Sequence, residues 1–265
     1  MQKLWLLLLC TACPWQMSAQ SGHMSASDEE RIVQNLVDNM VYVPGGTFTM
    51  GALETDAEAG KHEKPAHRVT LSSFYIGKYE VPQEEWEAVM GGNPSGFKGS
   101  RHPVERVSWQ GCQEFISKLN EKTGKRFRLP TEAEWEFAAR GGNRSQGYKY
   151  SGSDSLDEVA WYGGNCNDAN GDGTTHTVGM KHPNELGLYD MSGNVWEWCS
   201  DGYGDYGGAD QINPTGASSG IGSSNRVVRG GSWMNYYWYC RVSDRFDIGP
   251  DFGIFCIGLR LVLVQ

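Results

Sequence analysis

No run of apolar residues in this 265-residue chain is long enough to cross a bilayer as a stable helix; Leu4 to Ala12 is well short of one. Positive charge is also scarce. Lys and Arg number 23 against 32 Asp and Glu, and the net charge of -9 excludes the basic face of a nucleic-acid binder. No CxxC pair occurs, so a cysteine-held structural zinc site is not expected. There is no internal repeat and no linker beyond residue 40, so residues 28–265 read as one domain. What the chain has instead is glycine and tryptophan, 35 and 10 residues. Many glycines mean many turns and close backbone crossings, and tryptophans fill the space between irregular segments. That combination points to an α+β, loop-rich globule with few helices and short twisted strands.

Met1-Gln2-Lys3 followed by Leu4 to Ala12 reads as an export signal. Cys13 after Thr11-Ala12 is expected to become a lipidated first residue, with cleavage near Ala19 as the alternative. Residues 1–13 are then the signal and 14–27 a polar tether. A lipid there would hold the protein on a membrane without spanning it. The expected location is therefore outside the cytoplasm, as an outer-membrane or cell-surface lipoprotein. Five cysteines remain, Cys112, Cys166, Cys199, Cys240 and Cys256, an odd number that leaves at least one without an intramolecular partner.

Ile32, Leu36, Val37 and Met40 repeat at helical spacing and predict a helix over 28–40. Val41 to Gly51 alternates around Pro44-Gly45-Gly46, which predicts a hairpin, and 69–80 predicts a further strand. Pro82 can open a helix over 84–90. Ser108 reads as an N-cap with Trp109, Cys112, Phe115, Ile116 and Leu119 on one face. Thr131 and Glu134 form a capping box for a helix that stops at Gly141-Gly142. Beyond that point periodicity is scarce.

Several stretches in order resemble the formylglycine-generating-enzyme (sulfatase-modifying factor) family. They are Val43 to Gly51, Arg128 to Glu136, Asn184 to Trp198, Arg229-Gly230-Gly231-Ser232-Trp233 and Ile257 to Leu261. The resemblance covers residues 40–265 and implies a C-type lectin fold of the formylglycine-generating-enzyme type. The family holds cysteine oxidases, sulfur-transfer enzymes and non-catalytic binding proteins, so fold alone does not decide function. Its oxidases use two cysteines that bind copper after the Gly-Gly-Ser-aromatic motif. Here those positions are Asn235 and Cys240. One thiolate cannot make the two-sulfur site that monovalent copper prefers, so no catalytic residues are expected.

The resemblance also implies structural calcium. One site would use the side chains of Asp190 and Glu197 with the carbonyls of Gly193 and Val195, and a second would involve Asn165, Cys166, Asp172 and Thr174. Hard oxygen donors on irregular loops suit that ion, and a hydrogen-bonded turn is the alternative at both.

From Ser232 to Leu261 there is no Lys, Glu or Gln, although all three are common earlier. Between the fixed points Trp233, Cys240, Arg241, Arg245 and Arg260 lie Met234, Asn235, Tyr236, Trp238, Tyr239, Asp244, Phe246, Asp247, Ile248, Phe252, Ile254 and Phe255. They follow neither a strand nor a helix period, as a loop-borne patch need not. The pattern resembles the variable region of diversity-generating retroelement proteins, where altered adenines scatter AAC codons into other residues. All but Met234 and Trp238 conform. Rigid aromatics on a fixed scaffold also make a paratope. These twelve residues are the expected ligand-binding set within 232–260, facing a macromolecular ligand, expected to be a protein. Asp244 and Asp247 would select a polar or basic partner. Tyr237 is expected in the core, as are Trp196 and Trp198. The competing readings are an oxidase using Cys240 alone and a structural envelope protein.

Overall fold

The computed structural model describes residues 25–216 and 224–264. The expected signal, Cys13 and most of the tether lie outside the described residues. Helix α1 (Ala26–Asp38) begins at the tether's expected end, because the Ser25 side chain caps it by accepting from the Asp28 amide. Ile32, Val33 and Leu36 are its buried face. Among the described residues no helix is long and apolar enough to cross a membrane.

Strands β1 (Met40–Val43), β2 (Gly46–Met50), β3 (His67–Leu71) and β4 (Phe74–Gly77) follow. The expected hairpin does not form: β1 pairs antiparallel with β4, and β2 with β3. Pro44-Gly45-Gly46 carries the chain from one sheet to another, and a Cβ on Gly45 would lie 2.5 Å from the Leu71 carbonyl oxygen. The crossing is too close for a side chain there. The strand expected over 69–80 is likewise split at Ser72-Ser73 between two sheets.

Helix α2 (Gln83–Met90) starts behind Pro82, and α3 (Trp109–Thr123) starts behind Ser108, whose hydroxyl accepts from the Gly111 amide. Cys112, Phe115, Ile116 and Leu119 are buried as their spacing predicts. After β5 (Arg126–Arg128), α4 (Glu132–Ala139) shows the full Thr131/Glu134 capping box. Its end is marked by Gly141, at φ 87°, a left-handed conformation that glycine adopts without strain.

The later elements are short: α5 (Leu156–Val159), β6 (Trp196–Gly202), β7 (Gln211–Ile212), β8 (Arg226–Arg229), β9 (Arg245–Ile248), β10 (Ile257–Gly258) and β11 (Val262–Val264). Three sheets result, ordered β1-β4-β11-β5, β10-β6-β8-β9 and β2-β3-β7. The C-terminal β11 inserts between β4 and β5, which fixes where the segment before it must run. One core joins α1–α3 to Trp198 and Ile257, with Trp86 and Phe115 stacked at 4.8 Å; another joins β1–β4 to Trp135 and Phe137 on α4.

Candidate ligand-binding face

Four arginines fasten the C-terminal segment to carboxylates from elsewhere in the chain. Arg241 grips both oxygens of Glu63 at 2.7 Å, and Arg245 grips both of Glu132 at 2.7 Å. Arg260 holds Glu197 through Nε and Nη2, and Arg229 pairs with Glu136 while lying 3.3 Å from Glu132. All four guanidinium groups are buried. A planar fork that meets a carboxylate with two parallel hydrogen bonds fixes orientation as well as charge. The segment therefore leaves a rigid frame at Arg229 and returns to it at Arg260.

Within that frame Gly230 and Gly231 take φ of 97° and 75°. The chain then forms a 3-10 turn at Tyr237–Cys240, runs as β9, and loops back through 249–256. Met234, Tyr236, Trp238, Phe246, Phe252, Ile254 and Phe255 are all exposed, Tyr236 by 66% and Phe252 by 63%. The Tyr236 and Trp238 rings stack at 4.6 Å, and Trp238 touches Tyr239. Tyr239 and Phe246 both pack against Trp196, while Phe255 packs against Trp233, whose indole N–H donates to the Phe255 carbonyl. Buried Trp196 and part-buried Trp233 thus form a floor under residues that face solvent.

Four expected members are half-buried. Asn235 hydrogen-bonds Ser232, Tyr239 and Ile248 pack on the core, and Asp247 accepts from Asn225. Two residues depart from expectation. Asp244 is buried, facing His62 and Arg241 rather than solvent, so it does not belong to the exposed set. Tyr237 is 47% exposed, not core; Lys149 lies over its ring and Trp238 meets it in a T-shaped contact. Trp196 and Trp198 are buried as expected.

The thiols have no access to this face. Cys112, Cys166, Cys199, Cys240 and Cys256 are all unpaired and buried. Burial, then the nearby Asp244 charge, pushes the Cys240 thiol far above its ordinary range. The thiolate is the reactive form of cysteine, and burial disfavours it at Cys240.

The expected calcium loops are already engaged in hydrogen bonds. Both Glu197 oxygens are taken by Arg260 and by the Trp135 indole N–H at 2.7 Å. Asp190, at φ 56°, accepts from the Gly179 amide through Oδ2 and leaves Oδ1 buried without a partner. Burial pushes its carboxyl up to about 6. With Glu197 saturated by a cation, the set Asp190, Gly193, Val195 and Glu197 does not fit a calcium cage. In the other loop Asn165 accepts from the Tyr162 amide and donates to Asp157 and Ala160, whereas Asp172 is exposed.

Sequence reasoning missed Glu63, Glu132 and Glu136. The available signal was an imbalance: arginines at 226, 229, 241, 245 and 260 need more carboxylates than Asp244, Asp247 and Asp251 supply.

A family model for the sulfatase-modifying factor enzyme 1-like domain matches residues 25–264. Among solved structures, Treponema denticola variable protein 1 superposes with a TM-score of 0.75 at 34% identity, covering 85% of this chain and 95% of its own. By sequence, the chaperone protein LppX of Paenibacillus barcinonensis is 34% identical over 94% of this chain and 97% of its own. The formylglycine-generating enzyme of Thermomonospora curvata is 31% identical over 87% and 95%.

Proposed function

The chain belongs to the sulfatase-modifying factor enzyme family, and from that premise we propose that it is a non-catalytic binding protein, displayed outside the cytoplasm on a lipid at Cys13, whose face over residues 234–255 takes a protein ligand. One observation carries this reading. A rigid, arginine-fastened segment holds seven large apolar side chains out to solvent, while the one remaining thiol of the oxidase pair is buried in a separate cluster with Tyr150, Leu156, Val159 and Ala160. Aromatic groups already fixed by a floor lose little rotamer freedom on binding, and burying each stabilises a complex by about 1.5–3 kcal/mol. Similarity to a variable protein supports the same reading, and similarity to a formylglycine-generating enzyme supports the shared scaffold.

Sequencing the coding region across many cells of one strain tests the proposal without knowledge of the ligand. Substitutions are expected to crowd the codons of displayed residues such as Tyr236, Phe246 and Phe252. Trp233, Cys240, Arg241, Arg245 and Arg260 are expected to stay fixed. A density of changes over 234–255 no higher than elsewhere would sink the diversified-face reading.

A further inference from the structure

The sheet β10-β6-β8-β9 ends at β9, and β9 runs through the displayed face. Its strand partner is β8, in an antiparallel register from Arg229↔Arg245 to Arg226↔Ile248 without a bulge. In such a pair successive residues turn their N–H and C=O groups to opposite sides. Two of the four residues in Arg245–Ile248 therefore aim both groups away from β8. Among the described residues no other backbone group hydrogen-bonds this strand. Phe246 is exposed, and Asp247 and Ile248 are half-buried, so the edge is not roofed over. The devices that blunt an edge are also missing, for the strand has no proline and no lysine, and Arg245 is paired inward with Glu132. Displayed rings flank it. Phe246 and Tyr239 share Trp196 as their floor, and Phe252 folds back on Gly249, where an added Cβ would fall 2.8 Å from its ring.

We propose that the protein ligand docks by laying an extended segment along β9, adding a strand to this sheet while the aromatic side chains take its alternate residues. This rests on the binding-face reading and names how the ligand is held. Main-chain donors and acceptors spaced for a ladder are complemented along their length by another extended backbone. Over four residues that edge is about 13 Å long. A helical ligand would satisfy its own backbone groups and leave the β9 edge unpaired. Diversification changes side chains but leaves the edge N–H and C=O groups in place. A constant ladder thus supplies docking and register whichever residues stand at 246–248, and the changed rings supply selectivity. A second copy of this chain, pairing β9 with β9, is the competing occupant and would give a dimer.

A phage library of random linear dodecapeptides, selected on the folded protein, tests this. The tightest peptide, made synthetically, should bind a chain that sediments as a monomer. It should slow hydrogen exchange at two alternate amides of Arg245–Ile248 that exchange fast in the free protein. N-methylation along the peptide should weaken binding about tenfold at every second position and little between, one hydrogen bond being lost at a time. Binding indifferent to N-methylation would overturn the docking mode while leaving a side-chain binding face in place. A dimer that protects the same amides would assign the edge to a second copy and overturn it too. If no peptide is recovered, the extended-segment mode falls, and the diversified face is still judged by its own sequencing.

Discussion

Arg260 shows how single residues hold this molecule in shape. Its guanidinium contacts both oxygens of Glu197 and donates to the carbonyls of Gly77 and Tyr189, with no exposure to water. Replacing a buried pair by apolar residues can be neutral, but removing one partner strands the other charge in a low dielectric. Arg260→Leu should therefore destabilise the fold by about 3–5 kcal/mol, read from urea unfolding at neutral pH. Glu197 would keep only the Trp135 hydrogen bond, in a buried site it already shares with the carboxyl groups of Glu80 and Asp190. A loss below about 1 kcal/mol would mean that water reaches the site and the pair is worth no more than a surface one. Of this arrangement the sequence displayed the arginines but not their partners. Glu63 stands 178 residues from Arg241, and nothing local marks the pairing.

At the scale of elements, what was legible is what short-range chemistry decides. Ser108 and Thr131 cap helices because a hydroxyl reaches an amide three residues on, a relation visible in any window of the chain. The hairpin at Pro44-Gly45-Gly46 failed for the opposite reason. Alternation fixes that Val43 and Met50 point inward, but not which strand each segment joins, and β11 and β3 compete for places across long separations. The exposed face was legible as composition, whereas Asp244 and Tyr237 were exchanged because irregular backbone has no period to reveal direction. The loop over 165–174 is the place where the calcium reading is still open to measurement. It closes through Thr174 N–H to the Cys166 carbonyl and through the Asp168 carboxylate, leaving the exposed Asp172 free to turn onto an ion beside Asn165. For calcium to belong there, an ion at about ten times its dissociation constant should add about 1.4 kcal/mol of stability. Asp172→Asn should abolish that gain. An unchanged melting temperature for the parent in millimolar calcium would remove calcium from this fold.

For the whole molecule, buried carboxylates set how stability follows pH. Burial pushes Glu85 up to about 8, with Arg101 opposing and Glu84 adding to the shift. Burial and then the Glu132 charge push Asp201 up to about 7. Each keeps in the folded state a proton that the unfolded chain releases near its ordinary value of 4.5 or 3.8. The native state then binds more protons than the unfolded one across the window from about 4 to about 8, so stability falls as pH rises through it. Glu63 and Glu132 act the other way. Burial opposes their ionisation, but Arg241 on one and Arg245 with Arg229 on the other hold both below the ordinary 4.5. Their contribution is complete above that value and is lost as pH falls through the folded-state value. The lowered pair gains stability only up to the ordinary 4.5, and above it only the raised groups change, so the melting temperature should peak at mildly acid pH, decline towards pH 8 and drop in stronger acid. Calorimetric melts across this range on the parent and on Glu85→Gln separate the contributions. The variant should show a shallower decline towards pH 8, with Glu80 still contributing to it, and keep the acid limb intact. A parent whose melting temperature rises steadily from pH 5 to pH 8 would show that Glu85 and Asp201 are solvated in the native state. The arginine pairs would then govern the whole profile.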